Sequence, residues 1–295
     1  MRDHTETLTP RDAATDRTRQ QAVADVGVVR SGETRPVPDQ VAVEAPIEVR
    51  LNGAPFSVIM RTPGDDRDLA LGFLFGEGLI EGRNDIERVD VDDTAEIVNV
   101  VFVCSQGDAV TAALSERRQV TMNSSCGMCG RRKLESLAVS APRPAFDWTV
   151  SPAAVQRLPE RLRDAQSVFA RTGGLHAAAL FDVDGRLEAS AEDVGRHNAV
   201  DKLIGRMLEE GRLPLNASLL FVSGRSSFEI VQKAWRAGIG LIAAVSAPSS
   251  LAIDLARAAS ITLLGFVREG RFNIYTHPQR IRGVPVHPEP GPLRG

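Results

Sequence analysis

The sequence predicts an α/β protein of two domains, the second a mainly parallel sheet covered by helices. Two observations carry this. From residue 152 onward, helical and strand patterns follow one another as α-β-β-α-β-α-β-α-β. That alternation is the mark of strands joined by crossover helices. Just before it, "SAPRPAFDWTVSP" (140–152) carries three prolines and reads as a connection between domains. At 295 residues, 43% of them hydrophobic, the chain is large enough for a substantial core.

Residues 1–40 are polar and charged with scattered prolines, and are expected to form a mobile lead-in outside the core. A smaller α/β domain is expected over 41–145. It opens with "VAVEAPIEVRLNGAPFSVIMRT" (41–62), where two runs rich in β-branched residues flank Asn52-Gly53, a strong hairpin signal. "TPGDDRDLALGFLFGEGLI" (62–80) turns into a helix with acidic residues near its start and Leu69, Leu71, Phe73, Leu74 and Phe75 as its apolar face. "AEIVNVVFVC" (95–104) reads as a strand ending at Cys104. A loop and a short helix are expected to follow in "VTMNSSCGMCGRRKLESLAV".

The second domain, 146–280, begins with the amphipathic "PAAVQRLPERLRDAQSVFART", helical despite Pro159. "HAAALFDVDGRLEASAEDV" is a strand pair turned at "DVDG", and "RHNAVDKLIGRMLEEG" a helix with a glycine stop. "ASLLFVSG", "GLIAAVSA" and "ITLLGFVREGRFNIYT" read as strands, separated by the helices "SSFEIVQKAWRAG" and "SSLAIDLARAA". Residues 281–295 form a proline-rich tail.

Charge narrows the function. With 35 basic against 38 acidic side chains, no global excess advertises nucleic acid, so any anion site must be local. The first residues lack the apolar stretch of a secretory signal, and no run approaches the roughly 18–20 apolar residues of a membrane span. Three cysteines in so long a chain do not make a secreted disulfide framework. A cytoplasmic protein is expected.

Two of those cysteines, Cys126 and Cys129, sit in "NSSCGMCG". Zinc usually takes four ligands, and the next histidine, His176, is far along the chain. A pair of inert buried cysteines fits little better, because only Met128 offers an apolar flank. A thioredoxin-like couple would sit between a strand and a longer helix, a context not evident here. Thiolate chemistry is left. Arg131, Arg132 and Lys133 follow directly, and cations or a helix start favour a thiolate and equally a persulfide anion.

In "SGRSSFEIVQKAW" (223–235) a strand runs through small residues into a helix, with Ser223, Arg225, Ser226 and Ser227 at the turn. Free N–H groups at a helix start suit phosphate; ordinary serine capping is the alternative. "SAPSSLAID" (246–254), beginning at Ser246, repeats the design one unit later. Turns at one end of neighbouring parallel strands are where α/β sheets bind ligands. "EDVGRHNAVDKLIG" crowds Asp193, Arg196, His197, Asn198, Asp201 and Lys202 around a helix start, with His197 and Asp201 on one face. His176, before an apolar strand, reads equally well as a satisfied core residue. "GFVREGRFNIYT" interleaves Phe266, Phe272 and Tyr275 with Arg268 and Arg271. Rings for stacking and guanidinium groups for phosphate are one reading, and a solvated edge strand is the other.

Taken in order, "LNG", "RDLALGFLFGEG", "NSSCGMCG", "FARTGGLHAAAL", "EDVGRHNAVDKLIG", "SGRSSFEIVQKAWRAGI", "SAPSSLAIDLA" and "GFVREGRFNIYT" resemble the FdhD family over about residues 40–280. The resemblance implies a sulfurtransferase needed for formate dehydrogenase activity. It would take sulfur from a cysteine desulfurase as a persulfide and pass it to the molybdenum cofactor in its bis(molybdopterin guanine dinucleotide) form. Cys126 matches the persulfide-bearing cysteine and Cys129 its auxiliary thiol. Phe266, Val267, Arg268, Glu269, Gly270 and Arg271 match the cofactor-binding segment. The serine and arginine turns, His176 and the "EDVGRHN" cluster are then expected to complete the contacts to guanine, ribose and pyrophosphate. GDP or GMP would mimic the cofactor, and a homodimer is implied.

The second domain also resembles a cytidine-deaminase-like α/β/α layer fold, without that chemistry. Ala178 stands where the deaminase glutamate would be in "HAA", and "APSSLA" has no cysteine. No metal and no deamination are expected. Two other readings stay in view: a cofactor-holding chaperone whose cysteines are incidental, and a zinc-stabilised structural protein.

Overall fold

A computed structural model of the chain describes residues 20–30, 33–103 and 147–285. The Cys-x-x-Cys motif with Cys126 and Cys129, together with Cys104, lies outside the described residues.

The lead-in holds more structure than its composition predicts. β1 (Gln21–Arg30) and β2 (Glu33–Ala42) pair as an antiparallel ribbon. Ala22, Ala24, Val26 and Val28 fall at every second position, the alternation of a strand. Pro36 and Pro38 are tolerated because each strand of a two-stranded ribbon has a free edge. Val23, Val37 and Val41 remain exposed.

β3 (Ala45–Leu51), β4 (Ala54–Arg61), β5 (Ile86–Asp92) and β6 (Ile97–Phe102) form a four-stranded sheet in the order β4-β3-β6-β5. The β3–β4 turn holds Asn52 at φ 48° and Gly53 at φ 83°, left-handed values that select this dipeptide. β5 escapes sequence detection because its only buried side chains are Ile86 and Val89. Between β4 and β5 runs helix α1 (Asp66–Glu77).

The rest of the chain contributes α2 (Pro152–Ala165), the helical turn α3 (Phe169–Thr172), β7 (His176–Phe181), β8 (Leu187–Asp193) and α4 (Arg196–Glu209). It continues through β9 (Leu219–Val222), α5 (Phe228–Arg236), β10 (Leu241–Ala244), α6 (Ser250–Ala258), β11 (Thr262–Arg268) and β12 (Arg271–Thr276). These strands form one sheet in the order β12-β11-β10-β9-β7-β8. Only β9, β10 and β11 run parallel; β7, β8 and β12 pair antiparallel, so the sheet is mixed rather than mainly parallel. "GFVREGRFNIYT" is correspondingly a hairpin and not one strand, turned at Glu269 and Gly270, where Gly270 takes φ 78°.

α2 covers one face of this sheet, with Val267 and Ile281 in the same cluster. α4, α5 and α6 cover the other, and that core continues through α1 into the four-stranded sheet. α1 and α4 cross at two glycines: a Cβ on Gly72 would stand 1.9 Å from the Asp201 carbonyl oxygen, and one on Gly205 1.9 Å from that of Asp68. No described helix is long and apolar enough to cross a membrane.

Candidate functional site at one end of the mixed sheet

Strand directions bring the candidate residues together. β7 runs antiparallel to β9, so the start of β7 lies beside the end of β9. Ala177 N–H donates to Ser223 Oγ and Ser223 N–H to the Ala177 carbonyl, both at 2.9 Å. The end of β8 joins them, with Asp193 opposite His176. Since β9, β10 and β11 are parallel, their following turns lie at the same end. His176, Arg196, His197, Ser223, Arg225, Ser226, Ser227, Ser246 and Phe266–Arg271 all fall at this one end of the sheet.

The two small-residue turns are locked to each other. Val245 N–H donates to the Val222 carbonyl at 3.1 Å, and Ser249 N–H to that of Ser226 at 3.0 Å. Their serines differ in use. Ser249 Oγ caps α6, accepting from Ala252 N–H at 3.3 Å, as the capping reading predicts. Ser227 caps no amide of α5; its Oγ lies 3.0 Å from His197 Nε2. Among the described residues, the fully buried Ser226 leaves its Oγ without a hydrogen-bond partner, as does Arg196 with its Nε at the start of α4; Arg161 Nη1, on α2, is the third such atom. A buried polar atom left unsatisfied costs about 1–3 kcal/mol, so two of them close together beside the same turns call for an explanation.

The first turn of α4 is tied to α5. His197 Nε2 also meets Glu229 Oε2 at 2.9 Å. Because one ring nitrogen faces both oxygens, this is no Ser-His-acid relay, in which the two nitrogens serve different partners. One turn on, on the same face of α4 as the i, i+4 spacing implies, Asp201 pairs with Lys233 at 2.6 Å. Burial pushes the Asp201 carboxyl up, against the pull of Lys233. At His176, burial and then the charges of Arg196, His197 and Arg225 hold the imidazole below its usual 6.5, so it is neutral at pH 7.

Asp193 and Asn198 serve the frame of this end. Asp193 is fully buried and accepts from Gly195 N–H and Asn198 Nδ2, each at 2.8 Å, and from Thr62 N–H at 3.1 Å. Lys202, equally buried, pairs with it at 2.8 Å. With these donors in place the carboxylate is fully engaged within the chain. Asn198 Nδ2 reaches the Met60 carbonyl as well, at 2.8 Å.

Across the sheet end, Phe266 holds φ 52°, a left-handed value unusual for an aromatic residue, and its ring is exposed while Val267 is buried beneath the hairpin. The Arg268 guanidinium donates to the Val245 and Val267 carbonyls, which anchors it over the second turn. Arg268 and Arg271 face each other across the hairpin, flanking Glu269 and Gly270. The end of the sheet therefore offers cations (Arg196, Arg225, Arg268, Arg271), an exposed ring and unpartnered donors, a combination suited to an anion carrying an aromatic base. Among the described residues there is no group of three or more His, Cys, Asp or Glu able to hold a metal ion.

Sequence reasoning missed Thr62 and Glu229 and gave Lys202 no role of its own. A lysine inside the apolar run "AVDKLIG" was a usable signal for the last. Thr62 gave none, since its partner Asp193 lies 131 residues away.

A model of the FdhD/NarQ family matches residues 42–282. The sulfur carrier protein FdhD of Streptomyces coelicolor is 47% identical over 261 residues, covering 86% of this chain and 93% of its own. That of Mycobacterium tuberculosis is 49% identical over 254 residues, covering 83% and 92%. A crystal structure described as a formate dehydrogenase accessory protein from Desulfotalea psychrophila superposes with a TM-score of 0.70 at 27% identity, over 89% of this chain and 99% of that one. The motifs, the fold and the relatives agree, and the chain belongs to the FdhD/NarQ family.

Proposed function

We propose that the protein is a persulfide carrier that delivers sulfur to a molybdenum cofactor bound, through its guanine dinucleotide arms, at the end of the mixed sheet, and so serves a formate dehydrogenase. In loading, the Cys126 thiolate attacks the terminal sulfur of a desulfurase persulfide. The desulfurase leaves as thiolate, and Cys126 carries the persulfide. In delivery a reduced molybdenum centre would supply the two electrons, taking the terminal sulfur as a sulfide ligand and becoming oxidised by two electrons while Cys126 leaves as thiolate, with Cys129 as auxiliary thiol. Holding the acceptor on the same protein makes the transfer effectively unimolecular, a large gain over encounter in solution.

The observation that carries this reading is the pair of buried, unpartnered atoms, Ser226 Oγ and Arg196 Nε, at a cation-rich end where Phe266 presents its ring. A guanine nucleotide matches each part: phosphate for the donors and arginines, base for the ring. The setting is a cytoplasmic homodimer that exchanges sulfur with a cysteine desulfurase. The test is formate dehydrogenase activity in cells carrying only Cys126→Ala, with cofactor content measured alongside. Loss of activity with cofactor still inserted is expected. Retained activity favours the cofactor-holding chaperone and removes the persulfide role.

A further inference from the structure

We propose that Thr62, which links β4 to α1, is a positioning residue for the nucleotide end of the sheet: with Asp193 and Lys202 it fixes the 193–198 turn and thereby the aim of Arg196 and His197. This rests on reading that end as the nucleotide site. Thr62 is fully buried and uses every polar group it has on this turn. Its N–H donates to Asp193 Oδ2 at 3.1 Å, its Oγ1 accepts from Val194 N–H at 3.2 Å, and its carbonyl accepts from Lys202 Nζ at 2.8 Å. Asn198 crosses the same joint to the Met60 carbonyl.

A joint meant only to hold two pieces together is served as well or better by apolar packing, because burying Asp193 and Lys202 carries a desolvation cost. What hydrogen bonds add is direction. The turn they fix leads straight into Arg196, whose Nε is buried without a partner, and His197, which reaches across to α5. Ligand donors must be held to a fraction of an ångström by neighbours that are themselves locked, and here the lock comes from the other sheet.

The test titrates GDP calorimetrically into the full chain, comparing wild type with Thr62→Val and Thr62→Ser, and follows urea unfolding of the same preparations. Valine keeps the shape and deletes only the bond from Val194 N–H; serine keeps that bond and deletes a methyl group. Thr62→Val is expected to weaken GDP binding about ten-fold in fully folded protein, and Thr62→Ser to bind as wild type. A merely structural Thr62 gives lower stability with unchanged GDP affinity, and that result overturns the proposal. Should Thr62→Val fail to fold, Thr62→Ala measured in the cold carries the same expectation and the same refutation. A wild type that does not bind GDP brings down the nucleotide reading and this proposal with it. A wild type that binds beside a Thr62→Val that binds equally brings down this proposal alone.

Discussion

Gly72→Ala tests how the two sheets are joined. The added methyl would stand 1.9 Å from the Asp201 carbonyl oxygen and 2.5 Å from its carbon. That is about 1.5 Å short of ordinary contact, and the obstacle is helix backbone that has no rotamer to change. Relief requires α1 and α4 to separate. Overpacking of this kind costs about 1–3 kcal/mol, and a backbone obstacle puts the cost at the upper end. Alanine returns roughly 1 kcal/mol through helix propensity, leaving a net loss of about 2 kcal/mol. At about 2–4 °C per kcal/mol for a chain of this order, the melting temperature should fall by about 4–8 °C. Urea unfolding followed by circular dichroism measures the loss, with Gly82→Ala as control, since nothing lies within 4 Å of a methyl there. A Gly72→Ala protein as stable as wild type would refute the close crossing.

Further outcomes follow from the sheet end. Ser226→Ala removes a buried hydroxyl that has no partner, so stability should hold or rise while GDP affinity falls; a loss above about 1 kcal/mol would show that the hydroxyl is already satisfied within the chain. Phe266→Gly relieves a left-handed backbone worth about 1–2 kcal/mol and removes a stacking surface worth about 1–3 kcal/mol. It should therefore unfold no more easily than wild type yet bind GDP at least several-fold more weakly, and unchanged calorimetric affinity would contradict the stacking role. For His176 the folded value lies below 6.5, so the unfolded chain takes up the proton first as pH falls. The histidine's contribution to stability is present above pH 6.5 and is lost as pH drops toward the folded value. Melting temperatures between pH 5 and 8 should fall less steeply in His176→Gln than in wild type; parallel curves would contradict the shift.

The legible parts of the molecule were those encoded locally. Asn52-Gly53 announced its hairpin, and the strand, small residues and helix of 219–236 announced a strand–turn–helix unit, because each signal fits within one short window. The spacing of His197 and Asp201 put both on one helix face, and the structure turns that face toward α5. Direction of pairing was not legible: nothing in "HAAALF" distinguishes a strand antiparallel to β9 from one parallel to it. The hairpin inside "GFVREGRFNIYT" hid behind a continuous apolar and aromatic pattern, although Glu269-Gly270 was its turn. Asp193 read as a ligand contact from its neighbours in sequence, while its partners Thr62 and Lys202 engage it within the chain. Contacts across 131 residues leave no local trace.

The central claim is that sulfur travels on Cys126. Intact-mass spectrometry after incubation with an active cysteine desulfurase and cysteine, followed by peptide mapping, tests it most directly. The account predicts a reducible gain of about one sulfur atom on the peptide containing Cys126, absent in Cys126→Ala. An unmodified Cys126 peptide, with the desulfurase shown to be turning over, would contradict it.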